Sequence, residues 1–114
     1  MADLRLIPLG GLGEFGLNAM VLEWEDHLLL VDAGVMFPGH DTPGVDSIVP
    51  DFAYLAERRD RVRGIVLTHG HEDHIGAVSY ALAAAPAPVY GGRLTLGFLK
   101  RRLQIGRASC RERV

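Results

Sequence analysis

The sequence predicts an α/β layered domain, and three observations carry the prediction. Two short continuous apolar runs, Leu28-Leu29-Leu30-Val31 and Gly64-Ile65-Val66-Leu67, have the length and content of strands buried on both faces. Segments with helical spacing lie between and after them, so strands alternate with helices along the chain. The 114 residues suffice for one small domain and not for two.

Residues 4–9 alternate imperfectly and read as a first strand, which runs into a glycine loop, Gly10-Gly11-Leu12-Gly13-Glu14-Phe15-Gly16. Residues 19–25 are mostly apolar and form a second strand, with a hairpin turn at Glu25-Asp26-His27. The run at residues 28–31 is the third strand and ends at Asp32-Ala33-Gly34. Residues 35–50 are broken by three prolines and read as a long loop. Asp51 is placed to cap a short helix through Tyr54, Leu55 and Arg58. Residues 64–67 form a strand that delivers Thr68 and a histidine-rich turn at its carboxyl end. Residues 75–85 read as one helix, stopped by Pro86. Pro88-Val89-Tyr90 is a brief strand, and residues 94–103 a final helix with Lys100, Arg101 and Arg102 near its end, where the dipole favours cations.

Composition bounds the function. The chain is 48% hydrophobic and 23% charged, as soluble globular domains are. No apolar run approaches the roughly 18 residues of a membrane span. A single cysteine, Cys110, excludes an internal disulfide framework, and no secretory leader is visible, so a cytoplasmic protein is expected. The net charge of −2 argues against a domain that grips nucleic acid by overall charge. The runs at Arg58, Arg59, Arg61 and Arg63 and at residues 100–102 read as solvated helix ends before they read as RNA contacts.

The chemistry is concentrated in His69-Gly70-His71-Glu72-Asp73-His74. Three of the chain's five histidines and an aspartate fall within six residues, after a buried strand and before a helix. That is the carboxyl edge of a sheet, where α/β folds commonly hold ligands. Imidazole nitrogen and carboxylate oxygen suit zinc and similar divalent ions. His69 and His71, two apart in a tight turn, can converge on one ion; Asp73 and His74 can address a second. Two ions about 3.5–4 Å apart clamp the oxygens of a hydrolytic displacement and activate water without a serine or cysteine nucleophile. A solvated turn with idle histidines is the bland alternative, and it leaves the clustering unexplained.

A rival reading starts from the glycines. Gly11-x-Gly13-x-x-Gly16 follows a strand, and Asp32 lies 19 residues beyond Gly13, as in a nicotinamide-dinucleotide fingerprint. Leu17, Met20, Val21 and Trp24 would then share a helix face. The hairpin signal at residues 24–27 opposes that helix, and the histidine cluster would have no purpose. A non-enzymatic interaction segment is the third class considered.

The pattern His-x-His-x-Asp-His after Leu67-Thr68 resembles the signature of the metallo-β-lactamase superfamily, and Asp32-Ala33-Gly34 resembles its first motif. The surrounding text is more specific. Residues 9–16, 31–34, 44–46, 48–52, 67–77 and 88–91 together resemble bacterial ribonuclease J, a similarity running from about Leu6 to Gln104. The resemblance implies the first half of an αββα sandwich, with residues 1–104 forming the amino-terminal part of a metallo-β-lactamase domain. It implies RNA as substrate, 5′→3′ exonuclease and endonuclease action, two zinc or manganese ions, and a homo-oligomer, dimeric or tetrameric. His69, His71, Asp73 and His74 would be metal ligands, with Asp73 also able to take part in proton transfer and Asp32 bracing the loop from behind. Gly44 and Asp46 match a calcium position of some members. The family's remaining ligands lie far downstream and none is matched here; His27 and His40 match none of them. The chain is therefore expected to be an inactive amino-terminal piece of a longer enzyme. Thioester, lactam and tRNA-processing hydrolases share the six-residue motif and stand as alternatives. Residues 105–114 continue no motif and resemble translated sequencing-adapter DNA, so they are expected to be a non-native tail.

Overall fold

The computed structural model describes residues 3–13, 16–36, 48–106 and 111–113. Its strands lie side by side in chain order: β1 (Leu4–Gly10), β2 (Ala19–Trp24), β3 (His27–Val31), β4 (Val62–Val66), β5 (Pro88–Tyr90) and β6 (Arg111–Arg113). The first three pair antiparallel, and β3 to β6 run parallel. Parallel neighbours need crossovers. α1 (Ala53–Ala56) with a 3-10 turn at Arg59–Arg61 joins β3 to β4, α2 (Glu72–Ile75) and α3 (Val78–Ala84) join β4 to β5, and α4 (Arg93–Gly106) follows β5. No helix among the described residues is long and apolar enough to cross a membrane.

The register explains where the core sits. Val21 pairs with Leu30 and Glu23 with Leu28, while Leu30 pairs with Ile65 and Ile65 with Val89. These side chains share one face of the sheet. Leu28, Leu30, Ile65 and Val89 are buried there in one core with Leu55, Ile75, Val78 and Leu99 of the helices. Each such side chain contributes on the order of 2 kcal/mol through burial. The opposite face carries Leu4, Leu6, Trp24 and Tyr90, all substantially exposed. The apolar runs are therefore strands buried on one face and half-covered on the other, not on both as expected: Leu29 and Val31 are intermediate, and Arg63 is exposed. Among the described residues the helices' core contacts are made with one face, which is the half-sandwich the sequence implies.

The hairpin forms where the sequence places it, with Trp24 opposite His27 and Glu25 in the left-handed region at φ 53°. The cap position of the helix is Phe52 rather than Asp51, although Asp51 Oδ1, one residue earlier, accepts the Ala53 N–H at 2.9 Å. The helix behind it ends at Ala56, before Arg58. Strand β4 starts at Val62 rather than Gly64, because Leu28 finds its parallel partner in Val62. Of the helix expected over 75–85 the structure forms α3, Val78–Ala84; Ile75 instead ends the separate short helix α2, and the cause lies in the site described below. α4 runs past the boundary expected at residue 104, and Arg111–Arg113 adds a strand beside β5 through backbone pairing, which needs no particular side chains. The stretch after the glycine loop is strand β2, so Gly11, Gly13 and Gly16 open no helix and the dinucleotide reading loses the helix N-terminus it requires.

The basic run also finds protein partners. Arg58 lies 3.7 Å over the Tyr54 ring and pairs with Glu57 at 3.2 Å, and Arg63 Nε donates to His27 Nδ1 at 2.9 Å. Arg61 lies 3.9 Å from Asp26.

Candidate metal centre

Strands β3, β4 and β5 end together. The Asp32 N–H donates to the Val66 carbonyl at 2.8 Å and the Leu67 N–H to that of Tyr90, also at 2.8 Å, so the parallel ladder continues one step past each strand. The chain then turns sharply at Asp32, whose φ of 65° lies in the left-handed region that aspartate tolerates better than most side chains. This turn aims the Asp32 carboxylate across the end of β4.

That carboxylate organises the histidine turn. Asp32 is 5% exposed, so its charge must be met by donors. Oδ1 accepts the Thr68 backbone N–H at 2.8 Å, and Oδ2 accepts the Thr68 hydroxyl at 2.8 Å. His74 Nδ1 lies 2.7 Å from the same Oδ2. An ionised carboxylate only accepts, so Nδ1 of His74 is the donor, and in the neutral imidazole Nε2 is then left with the lone pair. The Thr68 hydroxyl proton is committed to Asp32, which leaves its oxygen to accept from His69 Nδ1 at 3.1 Å. Nε2 is again the free acceptor. Metal-binding histidines are commonly fixed in this way, one nitrogen held by a carboxylate or hydroxyl and the other presented.

The presented groups converge. His69, His71 and Asp73 each offer one ligand atom, and these atoms lie within 4.8 Å of one another. The His69 ring meets His71 edge-on at 4.7 Å between centroids and His74 at 3.9 Å. His74 Nε2 lies 3.6 Å from Asp73 Oδ2. Asp73 thus adjoins both the His69–His71 pair and His74. Two imidazoles and a carboxylate, drawn together with a third imidazole beside them, are a donor set that fits a divalent ion such as zinc or manganese. The Asp73 side chain is 46% exposed and that of His74 20%, so the group opens to solvent on one side.

A family model of the metallo-β-lactamase superfamily matches residues 12–113. The chain belongs to that superfamily. Within it, this metallo-β-lactamase-superfamily chain is 47% identical over 102 residues to ribonuclease J 2 of Staphylococcus aureus (strain NCTC 8325 / PS 47), a match covering 90% of this chain and 18% of that protein. Ribonuclease J 2 of Staphylococcus epidermidis is 48% identical over 102 residues, with the same coverage. The chain thus spans about a fifth of the length of the curated relatives it matches. Among solved structures, human tRNase Z, short form, superposes with a TM-score of 0.54 at 21% identity, covering 94% of this chain and 42% of that one. That likeness concerns the fold.

Of the residues singled out from sequence, the structure brings His69, His71 and Asp73 together, with His74 beside Asp73 and bonded to Asp32. Gly44 and Asp46, the calcium pair, lie outside the described residues, as does His40. His27 lies on β3 and is bonded to Arg63. The glycines do take part, as close-packing positions. A Cβ on Gly34 would fall 1.7 Å from the Asp73 carbonyl oxygen, and one on Gly70 would fall 2.5 Å from the Phe98 ring. Asp-Ala-Gly is therefore a backbone contact as much as a carboxylate: the Ala33 N–H donates to the His74 carbonyl at 2.8 Å, and the Ala33 carbonyl accepts from Ala77 at 2.7 Å. Sequence reasoning passed over Asn18 altogether. Its side-chain Nδ2 donates to the Asp73 carbonyl at 2.8 Å, across 55 residues of chain. A lone asparagine after a glycine loop carries no signal that would have found it.

Proposed function

We propose that this chain is the amino-terminal part of a metal-dependent ribonuclease that hydrolyses RNA phosphodiesters by 5′→3′ exonuclease and endonuclease action. It would work in the cytoplasm and as a homo-oligomer. The observation that carries the reading is the convergence of His69, His71 and Asp73 within 4.8 Å, with His74 adjoining, at the carboxyl edge of the parallel strands. Identity of 47% to ribonuclease J 2 supports RNA as the substrate.

In this reading His69, His71 and Asp73, with His74 beside them, hold two zinc or manganese ions. Such ions supply Lewis acidity and activate water for hydrolysis. Asp32 keeps His74 in the tautomer that presents Nε2 and anchors Thr68, which does the same for His69. Asp73, exposed at the mouth of the group, is the carboxylate placed to accept a proton from an incoming nucleophile. With a net charge of −2, the surface that grips RNA would lie on other parts of the protein or be local to one part of this segment.

The complete reading frame containing this chain is expected to degrade single-stranded RNA in the presence of zinc or manganese. Chelation or the H69A/H71A double substitution should abolish the activity, and the 114-residue chain alone should be inactive. Hydrolysis of a lactam or thioester by the complete protein, with RNA left intact, would overturn the ribonuclease reading. Metal-dependent RNA cleavage by the 114-residue chain would overturn the assignment of the remaining machinery to other parts of the protein.

A further inference from the structure

We propose that Asn18 is a positioning residue for the metal centre, which captures the Asp73 carbonyl and thereby sets where the Asp73 carboxylate stands. The inference rests on the reading of Asp73 as a metal ligand.

Three contacts converge on one oxygen. Asn18 donates to the Asp73 carbonyl twice, from Nδ2 at 2.8 Å and from its backbone N–H at 3.3 Å. Gly34 lies against the same carbonyl so closely that no Cβ fits between them, and the Gly34 N–H donates to the Asn18 carbonyl at 3.0 Å. Asn18, Gly34 and Asp73 thus close a small ring of backbone contacts. Asn18 Nδ2 also lies 3.4 Å from Asp73 Oδ2, so one carboxamide touches both the backbone and the carboxylate of the same residue.

The captured carbonyl has a consequence for the helix. In an unbroken helix the Asp73 carbonyl would accept the Ala77 N–H. Here that carbonyl is bonded to Asn18, and the Ala77 N–H goes to Ala33 at 2.7 Å. The helix accordingly stops at Ile75 and restarts at Val78. Asp73 and His74 therefore stand on a single turn, α2, pinned from outside by Asn18 and Asp32. The glycine loop serves this contact: Gly16 at φ 92° and Leu17 at φ 54° bend the backbone in conformations that L side chains rarely adopt, and Asn18 follows directly.

A loop anchor with no bearing on the metal would make the same contacts, so the test must separate the two roles. Zinc affinity of the complete protein that contains this chain is measured by competition with a chromophoric chelator for the wild type, Asn18→Ala, Asp73→Ala and the double variant. Near-UV circular dichroism reports on the fold. Asn18→Ala is expected to weaken zinc binding about tenfold, the lower end for residues that orient a ligand. In the Asp73→Ala background the same change should cost less than about twofold, because coupled residues are not additive. Cobalt in place of zinc should show a displaced visible band in Asn18→Ala. Asn18→Ser, which keeps a donor in a small side chain, should recover part of the affinity, and it replaces Asn18→Ala in the cycle if that variant loses its near-UV signal. Affinity within twofold of wild type, or an equal loss in both backgrounds, would overturn the proposal. A wild-type complete protein that binds no zinc would instead overturn the metal reading beneath it.

Discussion

Among the described residues two carboxylates are buried, Asp32 and Glu23, and they are put to different uses. Asp32, just past the end of β3, receives a backbone N–H, a hydroxyl and an imidazole, and through the last two it governs groups that face solvent. Glu23, on β2, is 8% exposed and receives the Tyr54 hydroxyl at 2.5 Å and Arg5 at 3.2 Å. Arg58 stacks on Tyr54 and closes that second cluster. The electrostatic requirement is the same in both places: a buried charge must be met by donors. The difference is where the chain of contacts leads. From Glu23 it runs into a phenol and guanidinium groups, none of them a metal ligand. From Asp32 it ends on imidazole nitrogens with free lone pairs. A buried carboxylate becomes part of a site when the donors it holds have a second, outward-facing valence.

Substitutions at the two clusters should differ in kind, and those around Asp32 should cost most. Gly34→Ala places a methyl group where the Asp73 carbonyl stands. The turn must shift, with a cost of about 3 kcal/mol in stability and with loss of tight zinc binding. Chemical denaturation and a zinc titration check both. Next in size is Asp32→Ala, which leaves the Thr68 amide and hydroxyl and His74 Nδ1 without their acceptor. Zinc affinity should fall about 10–100-fold and stability by about 1–3 kcal/mol. An Asp32→Ala chain that binds zinc as the wild type does would erase the distinction between the two carboxylates.

The smallest effect is expected at the second cluster, and in stability alone. Tyr54→Phe removes one hydrogen bond to Glu23, at a cost of about 1 kcal/mol with zinc affinity unchanged. Burial first, then the hydrogen bond and charge of Glu23, raise the Tyr54 pKa above its ordinary value of 10.0. The fold therefore favours the protonated phenol. The contribution is complete below the unfolded-state pKa and is lost as pH rises through the higher folded-state value. Wild-type stability should decline above about pH 10, and Tyr54→Phe should flatten that decline. Denaturant midpoints between pH 8 and 11 read the difference.

Much of this was legible in the sequence, because it is local. Apolar runs located β3 and β4, the Glu25-Asp26 turn located the hairpin, and the composition of residues 69–74 located the site. What escaped depends on contacts between distant segments. The helical spacing of residues 75–85 is real, yet the helix breaks because Asn18 and Ala33 take the hydrogen-bonding groups that would have continued it. The glycine spacing suited two folds equally, and only pairing of β2 with β1 and β3 decides between them. The reach of Leu28 to Val62 set the start of β4, two residues before its apolar run. Asp73 was expected beside His74 on a second ion, and it also closes the group with His69 and His71. Such closures in space leave no periodic trace along the chain.

The bend after β4 is a metal-binding device, and Asp32 holds it in place. Elemental analysis after dialysis against dilute zinc decides this, comparing the complete wild-type protein with its H69A/H71A variant. Stoichiometric zinc retained by the wild type and absent from the double variant is the predicted result. A wild-type protein that emerges free of zinc, or a double variant that retains as much, would contradict it.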